Sequence, residues 1–277
     1  MKKKIKTLIT LAIAAMVTLL NQIATAEAVP EVNLGTAYNF GVLAGSTITS
    51  ANSSVVTGGD VGLFPGTSIT GPISITPPHG FQIDNGVAYQ AKGDLFNAYS
   101  VAAGLSRTAT LTGQDLGGMT LIPGVYFFAT SAQLTGQLTL NNQGNPDAVF
   151  VFQIGSTLTT ASDSKVVTIN DGPRDTSHPG ISVYWQVGSS ATLGTGTDFE
   201  GNILAKESIT DSGGSTVEGR LLTENAAVTL NNTTIDVPPA EVPTTGGGKV
   251  PDTGSTLLLF GSGLAIMLVF PRRLLRS

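Results

Sequence analysis

A three-residue unit recurs through the middle of the chain and constrains its fold more than any other feature. Each copy holds a small residue, then an aliphatic residue, then Thr or Gly. The copies are Thr47-Ile48-Thr49, Ser68-Ile69-Thr70, Thr157-Leu158-Thr159, Thr192-Leu193-Gly194, Ser208-Ile209-Thr210 and Ala227-Val228-Thr229. Because side chains alternate along a strand, the aliphatic residue can point inward while its neighbours point outward. Leu193, Ile209 and Val228 are 16 and 19 residues apart, which is about one turn of a β-solenoid with three short strands.

One segment has helical periodicity instead. Between Asn85 and Leu105 the apolar residues are Val87, Ala91, Leu95, Ala98, Ala102 and Leu105, spaced 4, 4, 3, 4 and 3 residues apart. This spacing places them on one face of an α-helix. We expect the helix to lie along the solenoid and to cover one of its apolar faces.

The composition excludes several classes of function. Residues 31–236 hold 16 Asp and Glu against six Lys and Arg, a surface that repels phosphate backbones and argues against nucleic-acid binding. The chain has no Cys and two His, so neither a thiolate nor a His-rich metal site is expected. No cofactor or metal is predicted. The 34 Gly and 36 Thr favour strands and tight turns.

The two ends of the chain are typical of export signals. Residues 1–26 combine a basic start, an apolar stretch and a small-x-small cleavage pattern, as a secretory signal peptide does. Residues 237–249 form a Pro- and Gly-rich linker. Residues 250–277 hold a short motif, an apolar run and an Arg cluster. The apolar run barely crosses a bilayer, and the arginines would hold the end in the cytoplasm, so a transient membrane contact is expected.

The tail resembles the PEP-CTERM sorting signals that exosortases read, in the variant in which Val-Pro-Asp replaces Pro-Glu-Pro. The motif residues are Val250, Pro251, Asp252, Thr253 and Gly254. The same five residues also resemble a sortase LPxTG signal with Val in first place, and a plain tail anchor is the third alternative. The first two imply a processing enzyme as a partner. All three imply a secreted, extracellular or surface-held protein.

Between the ends, the chain resembles the bacterial and fungal ice-binding protein family. The matching stretches are Leu34–Thr47, Leu121–Tyr126, Ala148–Ser156, Trp185–Ala191, Gly201–Ala205 and Gly219–Leu222. The resemblance implies that residues 27–236 form a mainly β domain. It would be a right-handed, triangular, discontinuous parallel β-helix with one long α-helix packed alongside. It also implies that the partner is ice or its ordered surface water.

We predict that a flat, Thr-rich face of the solenoid binds ice. Its residues are Thr157, Thr159, Thr192, Thr195, Thr197, Ser208, Thr210 and Thr229. The sequence also predicts that Asp163, Asp198 and Asp211 lie on this face, where carboxylates would disturb an ice-like water layer. A different face is expected to carry the bulky, hydrated side chains of Glu200, Asn202, Glu218 and Arg220.

Two other classes of function compete with ice binding. A matrix, biofilm or adhesion protein on the same fold would fit the sorting tail, with an exopolysaccharide as partner. A polysaccharide-acting β-helix enzyme would need clustered carboxylates or a poised base. Asp171, Asp175 and His178 form the best cluster available, and loop composition alone explains them. We therefore expect no enzymatic activity.

Overall fold

A computed structural model describes residues 29–171 and 182–238. The predicted signal peptide and sorting motif, together with Asp175 and His178, lie outside the described residues. In the two described ranges, no helix combines the length and the apolar character needed to cross a bilayer.

The first part of the chain contains a short 3₁₀ helix, seven strands and one long helix. The 3₁₀ helix is Gly35–Asn39. The strands are β1 (Phe40–Ala44), β2 (Thr47–Ser50), β3 (Ser54–Thr57), β4 (Asp60–Leu63), β5 (Ser68–Thr70), β6 (Ile73–Ile75) and β7 (Phe81–Ile83). They are followed by helix α1 (Gly86–Gly104).

Fifteen strands follow the helix. They are β8 (Ala109–Thr110), β9 (Thr120–Leu121), β10 (Gly124–Phe128), β11 (Ala132–Leu134), β12 (Gln137–Asn141), β13 (Phe150–Ile154), β14 (Leu158–Thr160), β15 (Lys165–Ile169), β16 (Val183–Val187), β17 (Ala191–Leu193), β18 (Asp198–Ala205), β19 (Ile209–Asp211), β20 (Thr216–Thr223), β21 (Val228–Leu230) and β22 (Thr234–Asp236).

The strands stack in parallel on three faces of a solenoid. The first face is a seven-stranded sheet in the order β11-β14-β17-β19-β21-β2-β5. A fifteen-stranded sheet forms the other two faces. The second face runs from β8 through β16 to β7, and the third from β9 through β15 to β6. The predicted parallel β-solenoid is confirmed.

Strands β18 and β20 pass from the third face to the second and bend sharply at a glycine. Gly201 and Gly219 have φ values of +116° and +144°, where an L side chain is strained. A Cβ added at Gly219 would lie 2.1 Å from the carbonyl oxygen of Gly201. These two glycines therefore allow adjacent coils to stack closely at this corner.

The coils are not stacked in chain order. Strands β1, β2 and β3 pair with β20, β21 and β22 respectively, so the N-terminal coils stack on the C-terminal coil. Helix α1 connects these N-terminal coils to the opposite end of the stack, where β8 and β9 lie. The order of the coils along the solenoid is therefore discontinuous, as the family resemblance implies.

Helix α1 packs on the second face, as predicted, with a small adjustment. Asn85 is its N-cap, and the Asn85 Oδ1 accepts a hydrogen bond of 2.9 Å from the Ala88 backbone N–H. The buried helix residues are Ala88, Ala91, Leu95, Ala98 and Ala102. Val87, which we expected inside, is 51% exposed. Ala88 points inward in its place. In the first turn the buried side of the helix is therefore one position further along the chain than the apolar spacing predicts.

A continuous apolar core fills the solenoid. The rings of Tyr126, Phe152, Trp185 and Phe199 follow one another across four coils. Successive ring centroids are 5.6, 3.9 and 5.0 Å apart. The Trp185 Nε1–H donates a 3.1 Å hydrogen bond to the Glu200 carbonyl, so the one polar atom of the indole is satisfied.

The pairing of coils on the first face differs from the predicted repeat by two residues. We aligned Leu158 with Leu193, whereas Leu158 pairs with Ala191 and Thr159 with Thr192. The fourth copy of the unit is therefore Ser190-Ala191-Thr192. Because side chains alternate with period two, a shift of two leaves every residue on its predicted side. Leu158, Leu193, Ile209 and Val228 are all fully buried, as predicted.

Candidate functional site

The first face carries a straight ladder of threonines along its centre. Each strand of this sheet contributes one outward residue to the ladder, and the register aligns these residues across all seven strands. The threonine ladder consists of Thr159, Thr192, Thr210, Thr229, Thr49 and Thr70, preceded by Gln133. Adjacent strands of a sheet lie about 4.8 Å apart, which sets the repeat of the ladder.

A second row of small residues runs beside the ladder. It lies two positions earlier on each coil and consists of Ser131, Thr157, Ser190, Ser208, Ala227, Thr47 and Ser68. Residues two apart on a strand are separated by about 6.7 Å. We call this set the flanking row. Neither row contains a charged side chain, so together they form a flat lattice of hydroxyls and methyls.

The interior holds this lattice in place. Leu158, Ala191, Ile209, Val228 and Ile48 lie directly beneath it, and all are fully buried. A slip of one residue in any strand would expose its aliphatic residue and bury its threonine. Hydroxyls also bond to each other along the rows. Thr70 donates to Thr49 over 3.2 Å, and Thr157 donates to Ser131 over 2.8 Å.

The structure places most of the predicted site residues together. Thr159, Thr192, Thr210 and Thr229 are in the ladder, and Thr157 and Ser208 are in the flanking row. Thr195 is exposed in the turn after β17, at the margin of the lattice.

Thr197 is the one predicted site residue that cannot face outward. It is fully buried, and its hydroxyl donates to the Gly194 carbonyl over 2.7 Å and lies 2.8 Å from the Thr160 hydroxyl. The prediction assumed that alternation continues past the strand end. Gly196 has a φ of +70°, so the turn there resets the alternation and directs Thr197 inward.

Part of the lattice was not predicted from the sequence. Thr47, Thr49, Ser68 and Thr70 belong to the same rows as the predicted residues. Their tripeptides were recognised as copies of the repeat. The pairing of β2 with β21 places them on the same face. This is a contact between residues that are far apart in the chain.

The three carboxylates expected on this face lie elsewhere, and that prediction is wrong. Asp211 is 2% exposed and accepts hydrogen bonds from the hydroxyls of Ser215 and Thr233, both 2.5 Å long. Asp198 is on the third face, where it forms a 2.6 Å ion pair with Lys165. Asp163 is in a turn between the first and third faces, with a φ of +57°.

Removal of the Asp211 carboxylate is expected to destabilise the solenoid. The Asp211→Ala variant would leave the Ser215 and Thr233 hydroxyls and the Gly213 N–H without their acceptor. Buried polar groups left in this state cost about 1–3 kcal/mol each. We expect the free energy of unfolding to fall by on the order of 3 kcal/mol, measured by urea denaturation. Asp211→Asn keeps one acceptor oxygen, so it should cost less. Equal stability of Asp211→Ala and the wild type would contradict this role.

The other two faces lack a comparable lattice. Helix α1 covers the middle of the second face. On the third face Glu200, Glu218 and Asp236 align across β18, β20 and β22. Asn202 and Arg220, which we expected beside these carboxylates, are instead buried on the second face, each 2% exposed. Arg220 Nη1 donates to Asn202 Oδ1 over 2.9 Å, so their polarity is satisfied internally.

Glu200 makes the stability of the solenoid depend on pH. Burial raises the pKa of its carboxyl from 4.5 to about 7, opposed by a hydrogen bond from the Thr168 N–H and assisted by Glu218. Between these two pH values the folded state holds a proton that the unfolded state has released. The free energy of unfolding contributed by this group therefore falls as the pH rises from about 4.5 to about 7.

The Glu200→Gln variant is expected to remove this dependence. Gln keeps an oxygen for the Thr168 N–H and carries no charge. At pH 7.5 we expect it to be more stable than the wild type by on the order of 2 kcal/mol, with little difference at pH 4.5. Denaturant unfolding at both pH values measures this. Glu218→Gln, one strand away and exposed, should keep most of the dependence. A Glu200→Gln variant that retains the wild-type profile would rule this explanation out.

Comparison with known proteins assigns the family. A family model described as Ice-binding-like matches residues 42–236. The chain belongs to this ice-binding-like family. It is 49% identical over 251 residues to an ice-binding protein of Nostoc sp. (strain HG1), covering 88% of each chain. It is 35% identical over 230 residues to an ice-binding protein of Colwellia sp, covering 75% of this chain and 84% of that protein.

Solved structures of ice-binding proteins share the fold. One, from an Antarctic Biological Consortium, is 40% identical with a TM-score of 0.71, and the match covers 77% of this chain and 94% of that chain. Another, from the ascomycete Antarctomyces psychrotrophicus, is 36% identical with a TM-score of 0.69, covering 76% and 100%. A VPDSG-CTERM motif matches residues 249–274. The resemblances to the ice-binding protein family and to a PEP-CTERM-type sorting signal are therefore confirmed.

Proposed function

We propose that this protein binds ice through the threonine ladder and the flanking row. The observation that carries the proposal is the unbroken alignment of six threonines on adjacent strands of one flat sheet. Its curated relatives are named ice-binding proteins, which supports ice as the partner.

The spacing of the two rows gives the proposal its physical basis. Side chains repeat about every 4.8 Å across the sheet and about every 6.7 Å along each strand. Hydroxyls on this lattice hold water at fixed positions, while the methyls between them disfavour disordered water. Because the residues beneath are fully buried, the lattice is rigid and ordering it on binding costs little entropy.

The growth of single ice crystals in a solution of the purified protein tests this function. Crystals held just below the melting point should develop facets or pits, because bound protein stops growth on selected planes. Albumin at equal concentration serves as the control for non-specific effects. Round, unshaped discs in the presence of the folded protein would contradict the proposal.

We further propose that the protein is exported and then held at, or released from, the cell surface. The signal-like residues 1–26 and the motif at residues 249–274 support this route, with an exosortase-type or sortase-type enzyme as the processing partner. Mass spectrometry of the native protein should find a chain that begins near Glu27 or Val29 and ends near Val250. An intact Met1 or Arg276 would contradict processing.

The position of Pro238 suits surface attachment. The chain leaves the described solenoid there, after β22, at the corner between the third and second faces. The Pro238 carbonyl accepts a 3.3 Å hydrogen bond from Arg220 Nη2. In a three-faced solenoid this corner lies opposite the first face, so the point at which the described chain ends is remote from the threonine ladder.

A further inference from the structure

A groove with a volume of about 500 Å³ lies beside helix α1. On one side it is lined by the helix. On the other it is lined by turns that lead from the second face to the first, including Lys206 and Glu224-Asn225. Its volume is within the range of about 300–1000 Å³ typical of small-molecule sites. The ladder residues do not line it, so it is a separate feature of the molecule.

Aromatic rings form one wall of this groove. Tyr89 and Phe96 are 63% and 59% exposed, although both are large and lie on a helix whose other side is well packed. The Phe64 ring meets the Tyr89 ring edge to face, with centroids 5.1 Å apart. Exposed apolar side chains gathered at a concave surface commonly mark a contact with a ligand.

The carboxylate of Glu224 also lines the groove. Glu224 Oε1 is buried and, among the described residues, has no hydrogen-bond partner. Burial raises the pKa of this carboxyl, while Lys206 and Lys92 oppose the rise. The Lys92 ammonium donates to the carbonyls of Thr223 and Glu224, which fixes this turn against the helix. The exposed rings therefore lie beside a carboxylate, an ammonium group and an amide, all of which can form hydrogen bonds with a ligand.

We propose that this groove binds a β-linked glucopyranose unit of an extracellular glycan. In that sugar the hydroxyls are equatorial, so both faces of the ring present axial C–H bonds and are flat and apolar. One face would stack on the ring of Tyr89 or Phe96. A rim hydroxyl would donate to the Glu224 carboxylate, and other sugar oxygens would accept from Lys206 or Asn225. A purely apolar ligand would displace water from these polar groups without replacing its hydrogen bonds, which is why a sugar fits better.

This site would complement the threonine ladder without obstructing it. Lys206 and Glu224-Asn225 come just before β19 and β21, whose outward residues belong to the ladder. A glycan held in the groove would therefore lie along one margin of the first face and leave its lattice accessible. The inference is independent of ice binding, because it rests on residues outside the two rows.

Calorimetric titration with cellohexaose tests the proposal on the whole mature protein. We expect binding in the micromolar to millimolar range, with maltohexaose weaker because its α-linkage bends the chain away from the wall. Free glucose distinguishes a polymer segment from a single free sugar as the ligand. A response to glucose that is much weaker than the response to cellohexaose indicates a polymer segment, and an equal response indicates a single free unit. No heat of binding with cellohexaose or glucose at millimolar concentration would overturn the proposal.

Three variants locate the site. Tyr89→Ala and Glu224→Gln should each weaken cellohexaose binding about tenfold, with unchanged circular dichroism and ice shaping. Phe81→Ala is the matched control, because Phe81 is 47% exposed on β7 and does not line the groove. Equal weakening by Phe81→Ala, or undiminished binding by both Tyr89→Ala and Glu224→Gln, would place any sugar contact elsewhere and refute the assignment.

Discussion

Replacement of Thr192 by Tyr is expected to abolish most of the thermal hysteresis while leaving the unfolding temperature unchanged. Thr192 is an interior member of the ladder, between Thr159 and Thr210. A tyrosine ring there would stand above the plane of the hydroxyls and methyls and hold an ice surface away from its neighbours. Contact between flat rigid surfaces depends on this complementarity. A tenfold weaker affinity for ice would correspond to about 1.4 kcal/mol of binding free energy, and the hysteresis should fall with it.

The matched control for this variant is Thr216→Tyr. Thr216 is an exposed strand residue on the third face, between Asp198 and Thr234. The same increase in bulk there should leave hysteresis at the wild-type level. Both variants require a circular-dichroism melt to show that the fold is intact. Full activity of folded Thr192→Tyr, or loss in Thr216→Tyr instead, would move the site to another face.

The Trp185→Ala variant is expected to cause the largest loss of stability. Trp185 is fully buried and stacks at 3.9 Å on Phe152 in the row of rings that joins four coils. Truncation of a buried aromatic residue costs about 3–5 kcal/mol, which should lower the melting temperature by roughly 10 °C in a domain of this size. Thermal and urea denaturation measure both quantities.

Phe96→Ala provides the comparison for the Trp185 variant. It removes a similar aromatic area from the exposed side of helix α1 and should change stability by less than about 0.5 kcal/mol. If both variants lose stability equally, the central row of rings is not what stabilises the stack.

Local patterns in the sequence predict the fold well. Alternation with period two identifies Leu158, Ile209 and Val228 as inward residues, because it depends only on neighbours along one strand. The helix follows for the same reason, since its apolar spacing is a property of one segment. Its first buried residue is misplaced by one position, from Val87 to Ala88, because the N-cap and the packing of the first turn determine where the buried side begins.

Contacts between distant residues are less accessible to sequence reasoning. The pairing of Leu158 with Ala191 depends on the lengths of the turns between coils. The burial of Asp211 depends on hydroxyls from two other positions, Ser215 and Thr233, which a reading of one strand does not bring together. Thr197 is turned inward by the turn at Gly196, although its residue type is typical of the exposed lattice.

The groove beside helix α1, which we propose binds a glycan, illustrates the same limit. Phe64, Tyr89, Lys206 and Glu224 come from four separate segments. No spacing in the sequence connects them, and only the packing of helix α1 against the corner turns brings them to one cavity. The threonine ladder, in contrast, was predicted in part because each strand repeats the same tripeptide.

Incorporation of fluorescently labelled protein into a slowly growing single ice crystal tests the ladder most directly. The wild type should become included in the ice on defined planes. Thr210→Tyr, at the centre of the ladder, should be excluded into the liquid, whereas Thr234→Tyr on the third face should be included like the wild type. Inclusion of folded Thr210→Tyr on the same planes as the wild type would contradict the proposal that the threonine ladder contacts ice.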